Sequence, residues 1–292
     1  MINRRDMLRC SAAGAAALLF GESWNSILKA APASASPALL TPEQEQGPFY
    51  IKSEHIRRNI SEGRPGVPLD LRLTFVNASN GQPIHGAAID IWHCDAGGLY
   101  SGFTKMKMGP PPDGGMPPDF PGGPGGPGGP PPGMDGIPGH GPGPHHALTD
   151  HLNFLRGVQI TDAQGRAAFT TIYPGWYAGR EIHIHLKVHI DGADKDSRYA
   201  GGHVCHTGQL FFPDETNLAI SRTLPYASSK TPRTTKETDG VYRGENGEES
   251  VMAIRPVSTN IAAGYVAEIT LAVDPAASPK AVGMGGDAPS AI

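Results

Sequence analysis

Cysteine, positive charge and long apolar runs are all scarce in this chain, and each scarcity removes a class of protein. Three cysteines in 292 residues are too few for a small disulfide-built scaffold. No Cys-x-x-Cys, His-Glu-x-x-His or acidic calcium loop occurs, which excludes the common zinc and calcium frameworks. Lys and Arg number 24 against 28 Asp and Glu, for a net charge of −4. There is therefore no basic footprint for nucleic acid. The apolar run from Ala12 to Phe20 is too short for a permanent membrane anchor. Apolar spacing at 3.6 residues is nearly missing too, which argues against a helical bundle.

What is abundant is glycine (39) and proline (29), and the excess is local. Residues 109–144 are about three-quarters Pro or Gly, with three Gly-Gly-Pro units in succession. The stretch is too irregular for a collagen helix and too poor in apolar residues for a core. We read it as a flexible surface insertion. His140, His145, His146 and His151 flank it as solvated side chains. The first 35 residues follow the order of an export signal: Arg4-Arg5, then Arg9, then the apolar run, then small residues around Ala30–Ala35. The paired arginines are similar to a twin-arginine signal, so we expect a periplasmic or secreted protein with a net charge near −6 after its removal. Cys94 and Cys205 either pair in that oxidising compartment or stay apart as buried thiols.

The rest reads as strands. Leu71, Leu73 and Phe75 alternate with Asp70, Arg72 and Thr74 over 69–76, the pattern of a half-buried strand. Further strands are expected at 87–94, 154–161, 167–172, 181–190, 207–212 and 262–273. Asp162–Gly165 would turn 154–161 and 167–172 into a hairpin. Short strands with turn punctuation predict an all-β, single-domain sandwich over 41–274, followed by a loose tail over 275–292. His203 and His206 are read as loop residues, and Trp92 as core.

The sharpest local signal is His183-Ile184-His185. Residues two apart on a strand share a face, so both imidazoles project together while Ile182, Ile184, Leu186 and Val188 face a core. Such a pair can chelate one ion. No carboxylate stands three or four residues on; Val188 and His189 do. Tyrosines lie nearby instead: Tyr173, Tyr177 and Tyr100. Phenolate is a hard anion whose parent phenol ionises near pH 10, and only a strongly polarising ion such as iron(III) holds two of them ionised at neutral pH.

Ordered motifs then resemble the intradiol ring-cleavage dioxygenases, particularly their exported bacterial members: Gly47-Pro-Phe-Tyr50, Gly81–Gly86, Ile89–Ala96 running to Tyr100, Arg156-Gly157, Thr171–Tyr177, Arg180–His185 and Gly208–Phe212. They span about 41–215. The resemblance implies that Tyr100, Tyr177, His183 and His185 ligate Fe(3+). It implies that Tyr177 is released on substrate binding and accepts a proton, that Arg180 stabilises negative charge on the ring, and that Gln209 lines the pocket. The implied partners are an aromatic diol and O₂, and the implied product is a cis,cis-muconate. Homo-oligomerisation is compatible with the sequence, and no membrane anchor or nucleic acid is implied. Two readings from other classes stay open: a metal-free sandwich that binds a ligand, and a copper site built on the histidine pair with the tyrosines incidental.

Overall fold

The computed structural model describes residues 37–52, 55–106 and 147–280, together with the backbone of Gly143–Pro144 and Met284–Gly285. The export signal (1–35), nearly all of the Pro/Gly-rich insertion and the end of the tail lie outside the described residues.

Two four-stranded sheets form the body. One has the order β5 (Arg166–Ile172), β1 (Pro68–Asn77), β9 (Tyr265–Val273), β8 (Ala253–Pro256). The other has β4 (Arg156–Ile160), β2 (Ala88–Trp92), β6 (His183–Lys195), β7 (Arg198–Phe211). A short pair, β3 (Gly143–Pro144) and β10 (Met284–Gly285), stands outside both. β1 and β9 run parallel; every other pairing within the two large sheets is antiparallel. Two helices follow β7: α1 (Asp214–Ser221) and α2 (Gly240–Gly244). Among the described residues no helix is long and apolar enough to cross a membrane.

The expected alternation is what holds the sheets together. Leu69, Leu71, Leu73 and Phe75 of β1 are buried in the same cluster as Ile89, Ile91, Ile184, Leu186 and Val188 of the facing sheet. Burying each such side chain is worth roughly 1.5–3 kcal/mol, so the register of each strand is firmly set. The all-β sandwich is therefore the fold. The hairpin expected between 154–161 and 167–172 does not form. β4 pairs with β2 and β5 pairs with β1, so the Asp162–Gly165 turn carries the chain from one sheet to the other.

β6 and β7 extend well beyond the expected strands into one long hairpin. His203 and His206 consequently lie on a strand rather than in a loop. A bulge at Val188/His189 shifts the register, as an extra residue in one strand does. His206 is buried with its Nδ1 2.6 Å from Glu43 Oε1. Cys94 and Cys205 are both free and buried, which decides between the two readings of that pair.

Candidate functional site

β6 turns Ile184, Leu186 and Val188 into the core, and the opposite face carries His183 and His185. That face is not open to water. His183 is 3% exposed and His185 is fully buried. Trp92 sits directly across the ladder from His185 and stacks on it, rings 5.0 Å apart and nearly parallel. Trp92 is core, as expected, and also a wall of this chamber: it packs with Phe49, Tyr50, Tyr100, Phe103 and Tyr177.

Two loops deliver the tyrosines, and they interlock. After β2, Asp95 Oδ1 accepts from the backbone N–H groups of Gly97 and Leu99, and its other oxygen pairs with Arg64. This folds the turn that presents Tyr100. The loop after β5 presents Tyr177 and is pinned by Trp176 Nε1 donating to Thr231 O at 2.8 Å. The backbones touch through two glycines. Gly98 has φ +87° and a Cβ there would lie 2.3 Å from Trp176 O; a Cβ on Gly175 would lie 2.5 Å from Asp95 O. No larger residue fits either contact.

The four side chains come together in one chamber. Ring centres are 5.8 Å apart for Tyr100 and Tyr177, 5.8 Å for Tyr177 and His183, 6.2 Å for Tyr100 and His185, and 4.6 Å for the two histidines. The histidine Nε2 atoms face each other at 3.0 Å. His183 Nδ1 lies 2.5 Å from Glu181 O, a carbonyl that can only accept. His183 Nδ1 is therefore the protonated nitrogen, and its Nε2 offers a lone pair. A covering arm closes the chamber. Gly47 (φ +71°) runs so close that a Cβ would lie 2.9 Å from His185 Cε1, and Phe49 stacks on Tyr100 at 4.4 Å.

Burial governs the charges here. It drives His183 down to about 3, with the Arg180 charge adding to the effect. It drives His185 well below the usual histidine range, helped by His183 and Arg180. Both rings are neutral at physiological pH. Burial, then repulsion from Tyr177, raises Tyr100 well above the usual phenol. Tyr177 is raised too, by burial, with Arg180 opposing. Tyr100 Oη is buried and has no hydrogen-bond partner among the described residues, a costly state for a polar atom.

Arg180 and Gln209 are brought in beside them. Gln209 is directly across from His185 on β7 and fully buried. Arg180 donates through Nε to Asp239 Oδ2 at 3.0 Å, through Nη1 to Glu45 Oε1 at 3.2 Å, and through Nη2 to Gln209 Oε1. Sequence reasoning missed two partners. Glu45 lies on the covering arm. Asp239 is fully buried and caps α2, accepting from Val241 N and Tyr242 N, and also accepts from Glu181 N at 2.7 Å. Burial acts to raise its carboxyl, but Arg180 and these N–H groups hold it below the ordinary range. An Asp before the glycine that opens a helix was a readable cap signal; its tie to Arg180 was not. Glu245, whose carboxyl burial pushes up to about 7, accepts from Glu45 N at 2.7 Å.

No protein-family model matches the chain, and no curated protein sequence does either. Solved structures do match. An intradiol ring-cleavage dioxygenase from Tetranychus urticae is 30% identical with a TM-score of 0.63, covering 84% of this chain and 98% of its own. A second solved dioxygenase is 30% identical with a TM-score of 0.62, covering 82% and 96%. The chain belongs to the intradiol ring-cleavage dioxygenase family. The covered span of the two relatives is nearly their full length, so the chain matches them across the whole sandwich rather than over a fragment of it.

Proposed function

We propose that this intradiol dioxygenase uses iron(III) to cleave a catechol-type ring between its two hydroxylated carbons with O₂, giving a cis,cis-muconate-type product. One observation carries the reading: two neutral imidazoles aim their Nε2 atoms at one another across a buried chamber in which the phenol of Tyr100 has no hydrogen-bond partner among the described residues. The donor set fits a hard, highly charged cation. Burial and mutual repulsion oppose ionising Tyr100 beside Tyr177, and a trivalent ion is what reverses that balance. Tyr100, Tyr177, His183 and His185 would hold it. When bound, iron(III) supplies an electron sink that draws density from a catecholate ring and makes it reactive toward O₂.

The chain's own residues supply the rest. Trp92 fixes the plane of His185 by stacking, and the Glu181 carbonyl fixes the proton of His183. Phe49, Trp92 and Phe103 exclude water. Tyr177, ionised only where a bound cation offsets its burial, would take up a proton from an incoming diol at Oη. Arg180 places a cation beside Tyr177 that favours negative charge developing on the ring. Charge at Arg180 lowers the cost of ionising Tyr177, consistent with a phenol that changes protonation state during turnover.

Protein produced in iron-replete cells is expected to be red to burgundy and to change colour when catechol is added without oxygen. Tyr177→Phe alters that colour, and His183→Ala loses the metal. A colourless, iron-free preparation sinks the reading, as does full iron retention by His183→Ala.

A further inference from the structure

We propose that this protein holds a second binding site, outside the tyrosine–histidine chamber, for a single uncharged aromatic ring that carries a hydroxyl group. The site follows from the strand that bears the histidine pair and does not depend on iron. The bulge in the β6–β7 ladder takes its extra residue, Cys205, from β7. β6 therefore keeps its alternation and puts Lys187 and His189 on the face of His183 and His185. Beside that stretch lies a cavity of about 240 Å³, with Tyr50, Asp90, Lys187, His189 and Tyr199 in its walls. Tyr50 stands between cavity and chamber: its ring packs on Trp92 at 4.8 Å, and Trp92 stacks on His185.

Lys187 is the unusual wall. It is 7% exposed, and its ammonium lies 4.0 Å from the centre of the Tyr50 ring without donating a hydrogen bond to any of the described residues. The ring face offsets part of the cost of burying it, but its three N–H donors have no acceptor there. Asp90, also buried, stands directly across the ladder from Lys187, with Oδ2 3.8 Å from His189 Nε2. One cation and one anion thus share the cavity floor and cancel. His189 adds no charge, because burial, then Lys187 and His203, lower it from 6.5 to about 4. Lys52, the other cation in the wall, is exposed, where water and salt screen it. A charged ligand gains no net attraction from a cancelled pair, yet loses its hydration on entry. A hydroxyl suits both partners: its oxygen accepts from Lys187, and its proton is offered to a carboxylate that takes several donors. The Tyr50, Tyr199 and His189 rings then provide aromatic faces. A cavity of roughly 150 Å³ already admits benzene, so this one takes a ring with a substituent.

The test is equilibrium dialysis of the full chain with benzyl alcohol, benzoate and benzylamine, which share a ring and differ in charge. Benzyl alcohol forms no phenolate, so it leaves any iron colour unchanged. It is expected to bind saturably, in the millimolar range of so small a ligand, and at least fivefold more tightly than either ion. Lys187→Met should weaken it at least fivefold. Val204→Phe, which fills the cavity from β7 without touching the chamber, should abolish binding while the iron colour stays. Absence of saturable binding by the unaltered protein overturns the proposal, as does tighter binding of benzoate or benzylamine, and neither result needs a variant to fold. Undiminished binding in a folded Val204→Phe overturns it too, because the ring then sits elsewhere. Iron-loaded and iron-free protein should give the same affinities, so failure of the iron reading and failure of this site are told apart.

Discussion

Asp239 shows how much one side chain carries. Its two oxygens serve Arg180 Nε and the backbone N–H groups of Glu181, Val241 and Tyr242, so it ties the start of β6 to the start of α2. Asp239→Asn keeps a good helix cap but leaves the buried Arg180 with one carboxylate fewer. We expect a loss of about 3–5 kcal/mol, the range for breaking a buried pair from one side, read as a shift in the denaturation midpoint. In an Arg180→Gln background the same change should cost markedly less, because the charge it served is gone. Strict additivity of the two substitutions would refute the link. Nothing local in the sequence announced this tie, since Asp239 lies 59 residues from Arg180 and beyond the last family motif. The histidine pair, by contrast, was readable because its spacing of two is enforced by the strand itself.

At the scale of elements, the two tyrosine-bearing loops act as one part because Gly98 and Gly175 let their backbones touch. Gly98→Ala would force a Cβ against Trp176 O in a backbone conformation that disfavours it. The expected result is a folded protein, destabilised by about 1–3 kcal/mol, whose iron content falls well below that of the unaltered chain. Retention of full iron and colour would show that the loops do not set the phenols. The two sheets are likewise joined by a polar bridge. At the end of β2, His93 lies with Nε2 2.8 Å from Thr171 Oγ1 of β5, and with Nδ1 2.8 Å from Cys94 O. Burial lowers this histidine from 6.5 to about 4. The unfolded chain therefore takes up the proton first as pH falls. The stability His93 contributes is complete above about 6.5 and is lost as pH falls toward 4. Melting temperatures at pH 7.5 and 5 should drop further for the unaltered protein than for His93→Gln. Equal drops would mean that burial does not depress His93, which would then titrate alike in the folded and the unfolded chain. The sequence showed the strands that flank this bridge and mispaired two of them. A tight turn after β4 looks the same whether its chain returns in one sheet or crosses to the other, because turn residues encode local backbone angles and not partners.

Across the whole molecule, the sandwich was legible from alternation in β1 and β6, where burial of one face fixes the pleat. The two helices after β7 were not, since α1 is only eight residues long and α2 five. Their positions come from tertiary contacts such as Tyr173 Oη to Asn217 Oδ1 at 2.6 Å. The site is drawn from residues far apart in the chain: an arm near residue 45, loops near 100 and 177, a strand pair, and Asp239. The sequence motifs captured those members whose neighbours are fixed by backbone geometry. It passed over those, such as Glu45 and Asp239, that arrive from elsewhere and matter only through their charge.

The chamber has two unlike halves. The imidazoles and Gln209 stand on paired strands whose backbone groups are tied along the β6–β7 ladder. The phenols and the Phe49 arm stand on loops that are held by a few single bonds and by close packing. Fluctuation concentrates where ladders are missing. The histidine side is therefore the fixed jaw of the chamber, and the phenol side is the compliant one.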